Sequence, residues 1–205
     1  MIEHQASPRA VRLRRAPAQE RAQARLARIL GAAEALLVER GFEALTLAAV
    51  ARSAGVNIAT VYERFPHRAA LLRVLAERYV AELQVIIARA SEEGVGRPLT
   101  VAIDELVDAV HAFHAANPAY LAVWSGAQSH PELKSLDASD THANAATLAR
   151  LLQGRLPAGR DAEATALTLL LAVGHVLRYA ASTVDPEPLI AEAKRLAAFY
   201  LDPGR

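Results

Sequence analysis

LTLAAVARSAGVNIATVYERFPHRAALL, residues Leu45 to Leu72, predicts two short helices meeting at a tight turn, then a longer third helix. Thr46 is placed to cap the first, and Ala49, Val50 and Ala54 give that helix an apolar stripe. Gly55 follows, and glycine accepts a positive φ without the Cβ penalty, so it can stop the helix and turn the chain. Val56 is expected under the turn. Asn57 can cap the second helix, IATVYERF, with Ile58, Val61 and Phe65 facing inward at i, i+3 and i+7. Ala59, Thr60, Tyr62 and Arg64 then occupy the opposite side. Pro66 ends the helix, because proline disfavours helical backbone in the residue before it.

A helix, a glycine turn and a short second helix form the helix-turn-helix pattern, in which the second helix enters the DNA major groove. An ordinary helical hairpin has the same spacing, so spacing alone leaves DNA binding open. The longer run ARILGAAEALLVERGFEALTLAAVARSAGVNIATVYERFPHRAALL resembles the DNA-binding domain of TetR-type transcriptional regulators. The resemblance lies in the ILGAAEALL helix, the ERGF exit, the LT before the next helix, VARSAGV, the TVYERF recognition helix, and a basic residue followed by LL. It covers about a quarter of the chain. It implies an all-α repressor with a ligand-binding C-terminal domain, acting as a homodimer on a near-palindromic double-stranded DNA operator. It also implies that Arg68 meets a phosphate. Glu63 and Arg64, an acid and a base after Val61 and Tyr62, leave the base preference open.

Charge is divided unevenly. Through Arg68 the chain carries eleven arginines, six glutamates and neither lysine nor aspartate, a net of +5, so the remainder carries −4 against +1 for the whole. A basic end on an acidic body suits a chain that holds DNA at one end. Residues 1–17 read as a disordered basic arm, either a solubilising tail or an arm whose Arg9, Arg12, Arg14 and Arg15 reach phosphates or a minor groove. Residues 18–66 form the expected helix-turn-helix domain, and 67–205 the expected ligand-binding and dimerisation domain. The proposed DNA contacts are Arg14, Arg15, Thr46, Asn57, Ile58, Ala59, Thr60, Tyr62, Arg64 and Arg68.

The chain has no cysteine, which excludes disulfides, thiolate metal sites and thiol redox sensing. No apolar run reaches membrane-spanning length, and the basic N-terminus lacks an apolar core behind it, so a cytoplasmic protein with no membrane partner is expected.

Apolar spacing predicts a first helix over about 18–40 with Ile29, Ala33, Leu36 and Leu37 inward. A fourth helix follows over about 67–90, with Leu71, Leu72, Leu75, Tyr79, Leu83 and Ile86 buried, broken by SEEGVGRP at 91–98. This long helix links head to body and is the natural lever. Further helices are expected over about 99–116, 119–127, 132–153, 161–182 and 189–201, with a loop at 128–131. The helix ATALTLLLAVGHVLRYAA is apolar nearly all round and must be buried in a core or against a partner. Leu170, Val173, Gly174 and Leu177 are its expected dimer-interface residues, with the 189–201 helix completing a four-helix interface.

Asp104, Asp108 and His111 share a helical face, but a solvated acidic face with a capping histidine accounts for them better than a metal site. No cofactor is expected. WSGAQSH is not a nucleophile elbow and no phosphate-cradling glycine loop occurs, so an enzyme is not expected. The effector is expected to be a small apolar or aromatic molecule. Phe113, His114, Tyr120, Trp124 and Tyr179 are the expected pocket lining, with His111 or His142 as polar anchor. Core packing explains the same residues, and a constitutive DNA-binding protein without an effector is the alternative.

Overall fold

The computed structural model describes residues 16–127 and 131–202. The described residues form helices and connecting turns, with no strand: α1 (Ala16–Arg40), a 3-10 turn (Phe42–Ala44), α2 (Leu47–Ala54), α3 (Ile58–Arg64), α4 (Arg68–Glu93), α5 (Leu99–Ala116), α6 (Pro118–Ala127), α7 (Pro131–Leu152), α8 (Ala162–Ala180) and α9 (Glu187–Leu201). An all-α fold with an N-terminal helix-turn-helix follows from the apolar periodicity and the caps.

The described residues build two apolar cores joined by one shaft. The first gathers Ile29, Ala33, Leu36 and Leu37 of α1 with Leu45, Val50, Val61 and Phe65. Leu71, Leu72, Leu75 and Tyr79 close it from α4, so the stripes expected on α1 and on this part of α4 are buried. Leu72 is wholly buried, and truncating such a leucine to alanine costs about 2–5 kcal/mol. The second core packs α5, α7, α8 and α9 around Ile103, Leu148, Leu169, Leu177 and Ile190. α4 enters it through Ile87, and Leu83 packs against both cores.

α6 belongs to the first core. Its Ala119, Tyr120, Val123 and Trp124 are buried there together with Phe113 of α5. α6 packs on α1 and on the 3-10 turn, so the packing of the head extends well past Pro66.

Several element ends differ from the sequence expectation. α4 continues through Ser91 to Glu93, because Ser91 is buried on the helix's inner side and nothing breaks the backbone before Gly94. α6 and α7 open on Pro118 and Pro131, since a proline at the first helical position gives up an N–H that would be unpaired anyway. Pro188 sits in the first turn of α9 for the same reason, which starts that helix at Glu187. Of the expected loop at 128–131, residues 128–130 lie outside the described residues.

Candidate DNA-binding surface and effector cavity

Each joint of the head is set by a local signal. The Thr46 hydroxyl accepts from the Ala49 N–H at 3.1 Å and caps α2. Gly55 ends it in the left-handed region, at φ 62° and ψ 38°, where a side chain would be strained. The Asn57 side chain accepts from the Ala59 N–H at 2.9 Å and opens α3. Phe65 leaves the helix in extended backbone, as the following proline requires. Val61 and Phe65 then point into the core.

Ile58 does not join them. It is 42% exposed, because it stands at the first position of α3, ahead of the turn that Val61 anchors. The outer face of α3 therefore presents Ile58, Ala59 and Tyr62, the last 52% exposed, with Thr60 half-buried beside them. Glu63 and Arg64 are exposed at its C-terminal end, and Arg52 of α2 is exposed next to the turn. Thr46 and Asn57 are exposed at the two helix starts. Arg14 and Arg15 lie outside the described residues.

Arg68 is committed to the protein. Its Nη2 donates to the Phe42 carbonyl at 2.6 Å, and its guanidinium lies 4.0 Å from the centre of the Phe42 ring. The Glu43 carboxylate sits 3.8 Å away. This fixes the 3-10 turn to the start of α4, which His67 caps by accepting from the Ala70 N–H at Nδ1.

Between α4, α5, α7 and α8 lies a small cavity of about 50 Å³ with a buried polar side. Asp140 of α7 is 8% exposed. Its Oδ1 accepts from Gln84 Nε2 at 3.1 Å and from Asn144 Nδ2 at 3.0 Å. Burial pushes this carboxyl up to about 6, assisted by Asp137 and opposed by the Gln84 and Asn144 amides. His114 of α5 is 2% exposed, stacked on the Tyr120 ring with centroids 5.1 Å apart, and neither ring nitrogen has a hydrogen-bond partner of good geometry. Burial, then Arg178 and His111, hold its imidazole down at about 4, so it is neutral at ordinary pH. Burial also raises the Tyr120 phenol.

Arg178 and Asp137 line this cavity and also a wider outer cleft of about 570 Å³, which holds Trp124 and Tyr179. Val110, Leu170 and Gly174 are shared on the other side with an apolar cavity of about 50 Å³ against Ile103, Leu106 and Ala197. Outer cleft, polar chamber and apolar chamber thus follow one another.

Of the residues expected to line a pocket, His114 and Tyr120 face the polar chamber, while Trp124 and the 67% exposed Tyr179 face the outer cleft. Phe113 is not a lining residue. It fills the first core, edge-on to Tyr79 and Tyr120. His142 is exposed on α7 and lines none of these cavities, since it falls on the side of α7 away from Asp140 and Asn144. His111 is half-buried beside His114 rather than in the chamber. Asp108, from the acidic face, is paired with Lys194 of α9 at 2.6 Å. Asp137, Asp140, Asn144 and Arg178 were not anticipated. Asp140 and Asn144 sit one helical turn apart, and that spacing was the available signal.

The inner face of α8 also differs from the sequence expectation. Val173 and Leu177 are buried in the second core, Leu170 packs against it, and Gly174 faces the cavities. The large apolar residues that α8 leaves exposed are Leu171 and Tyr179, and α9 exposes Leu196 and Phe199.

A glycine-turned helix pair with an exposed second helix, carried on a basic end of an otherwise helical body, defines a helix-turn-helix DNA-binding transcriptional regulator. Residues 29–75 match the N-terminal domain described as bacterial regulatory proteins, tetR family, and residues 98–201 match the tetracyclin repressor-like C-terminal domain. The chain belongs to the TetR family. No curated protein matches it. Among solved structures, it is similar to a TetR-family transcriptional regulator from Streptomyces coelicolor at 25% identity and TM-score 0.62, covering 89% of this chain and 98% of that one. It is similar in fold to the TetR-family regulator PfmR of Thermus thermophilus at 20% identity and TM-score 0.65, covering 85% and 94%. The fatty acid degradation regulator FadR of Bacillus halodurans has TM-score 0.69 at 18% identity, covering 88% and 96%. Among the described residues no helix is long and apolar enough to cross a membrane.

Proposed function

We propose that this regulator is a homodimeric repressor released from its operator by a small molecule bound between α4, α5, α7 and α8. One observation carries the reading: a polar group set built around Asp140 and His114 is buried in an otherwise apolar body, directly against Tyr120 of α6. Burying a carboxylate and an imidazole without strong hydrogen-bond partners costs stability, so a purely structural protein gains nothing from them. α6 is also part of the head's core, so a ligand that displaces Tyr120 moves an element the head rests on. Effector control then requires only that the ligand prefer the displaced arrangement.

At the other end, Tyr62, Thr60, Ala59 and Ile58 form the base-reading face, with Ile58 or Ala59 against a thymine methyl. Thr46, Asn57 and Arg64 flank the backbone, and the N-terminus of α4 faces a phosphate. Arg14 and Arg15 of the arm add phosphate contacts that deepen the salt dependence. Two heads are needed to span two half-sites, and the exposed Leu171, Tyr179, Leu196 and Phe199 face of α8 and α9 is the surface that joins them. The residue boundaries fall as arm 1–17, head 18–66 and body 67–205, with α6 of the body supporting the head.

The test starts with operator selection from genomic fragments. A reporter placed behind the selected operator should be silenced by the chain and restored by molecules that raise the protein's melting temperature. A reporter that rises when the chain is expressed would replace repression with activation. Stabilising molecules that never restore the reporter would leave a constitutive DNA-binding protein.

A further inference from the structure

The cavities differ in chemistry along their length, and that difference restricts what they can hold. At the centre, Asp140 receives two hydrogen bonds, both on Oδ1 and both from neutral amides. No ion pair engages it among the described residues. The nearest lining cation, Arg178, is turned elsewhere: its guanidinium lies against the Tyr120 hydroxyl, and its Nη2 is 3.0 Å from His175 Nδ1. A carboxylate this deep is stable only when something supplies positive charge or a proton. His114, 2% exposed, has its imidazole neutral and one ring nitrogen near the Leu177 backbone, which leaves the lone pair of the other to the same chamber. The adjoining chamber is apolar, bounded by Ile103, Leu106, Val173 and Leu177, and reached past Gly174.

We infer that the cavity binds an amphiphilic organic amine, its ammonium held by Asp140 and its slender apolar chain running past Gly174 between α5 and α8. The inference rests on the reading of this cavity as the effector site. An ammonium gives Oδ2 of Asp140 a charge-assisted donor and leaves a second N–H for the His114 lone pair. A carboxylate ligand meets Asp140 and Asp137 instead. At about 50 Å³ each, the two chambers hold little more than a water or two apiece, so an occupant must join them where they share Val110, Leu170 and Gly174. A narrow alkyl chain achieves this with a shift of Leu170, whereas a broad fused-ring body does not. Gly174 is the gate of that junction. A Cβ there meets nothing closer than the flexible Arg178 Nη1 at 4.0 Å, so a side chain at residue 174 starts into open space.

The experiment compares n-octylamine, n-octanol and n-octanoate, all below their aggregation concentrations, by calorimetry and melting temperature. It uses the full-length protein and the variants Asp140→Asn and Gly174→Val. Octylamine should bind wild type at least about tenfold more tightly than octanol, with octanoate weakest. Asp140→Asn should erase the amine's advantage while octanol still binds, and Gly174→Val should weaken all chain-bearing probes. If octanol or octanoate equals or exceeds octylamine in a Gly174-dependent manner, the cavity is a ligand site and the amine assignment fails. If no probe binds, or if Asp140→Asn leaves amine binding unchanged, the assignment also fails. Operator affinity is measured in parallel. Amine binding that depends on Asp140 and Gly174 but leaves operator affinity unchanged upholds the assignment and overturns the switch.

Discussion

Gly126, near the end of α6, lies directly against the ring of Phe42 in the 3-10 turn of the head. A Cβ at residue 126 would fall within the van der Waals envelope of that ring. Phe42 is in turn held by the Arg68 guanidinium at the start of α4. The body therefore touches the DNA head at a point without slack, and α6 connects that point to Tyr120 at the chamber.

Gly126→Ala should push Phe42 and the 3-10 turn outward. Overpacking of this kind costs typically about 1–3 kcal/mol. We expect a lower melting temperature, together with weakened operator binding in the absence of any effector. A full-strength operator complex in a destabilised Gly126→Ala protein would show that Phe42 does not transmit to α3.

The recognition face can be removed without touching the core. Tyr62 is 52% exposed and Thr60 half-buried, and substitutions at such positions change stability by about 0.5 kcal/mol or less when no cap or network is lost. The double substitution Thr60→Ala and Tyr62→Ala should abolish operator retardation and leave helical circular dichroism unchanged. Retained operator affinity in that protein removes α3 as the reading helix.

The head was legible because its joints are local. Thr46, Gly55, Asn57 and Pro66 each act within four residues, and each does what its chemistry predicts. The body was legible in its helices but not in its faces. α8 is apolar nearly all round, so periodicity could not separate Val173 and Leu177, which are core, from Leu171 and Tyr179, which are surface. The chamber's polar side was hidden differently. DASDTHANAATLAR in α7 has the composition of a solvated face, and only Gln84 of α4 and the packing of α7 against α4 and α8 turn Asp140 and Asn144 inward. Arg68 was legible only as a candidate phosphate contact, because its other partner, the Phe42 carbonyl, is 26 residues earlier in the chain.

The two faces of α8 separate dimerisation from folding. Leu171→Glu combined with Phe199→Glu should give a folded monomer in sedimentation, with cooperative melting retained. Leu177→Ala, at a wholly internal position, should instead cost about 2–5 kcal/mol of stability and leave the oligomeric state alone. A dimer that survives both charges contradicts the α8–α9 interface.

Asp140 and His114 titrate in opposite senses. Asp140 has its folded value raised to about 6, so its contribution to stability is full below the unfolded carboxylate range, near 4, and is lost as pH rises through 6. His114 is lowered to about 4, so its contribution is present above 6.5 and is lost as pH falls through 4. Between these values the two offset each other. Asp140→Asn removes the first alone. The variant should therefore melt higher than wild type at pH 7.5 and lose that advantage by pH 4.5. A constant difference in melting temperature across this range would mean that Asp140 is not desolvated.

If filling the chamber weakens DNA binding, reciprocal titration of ligand and operator reveals it. Trp124 is the single tryptophan and lines the cleft that leads to the chamber, so its fluorescence follows ligand entry while labelled operator reports DNA affinity. A saturating chamber ligand, n-octylamine in the first instance, should weaken operator binding by roughly 5–150-fold. Operator must then weaken that ligand by the same factor. A ligand that enters the chamber, shifts Trp124 emission and leaves operator affinity unchanged contradicts that coupling.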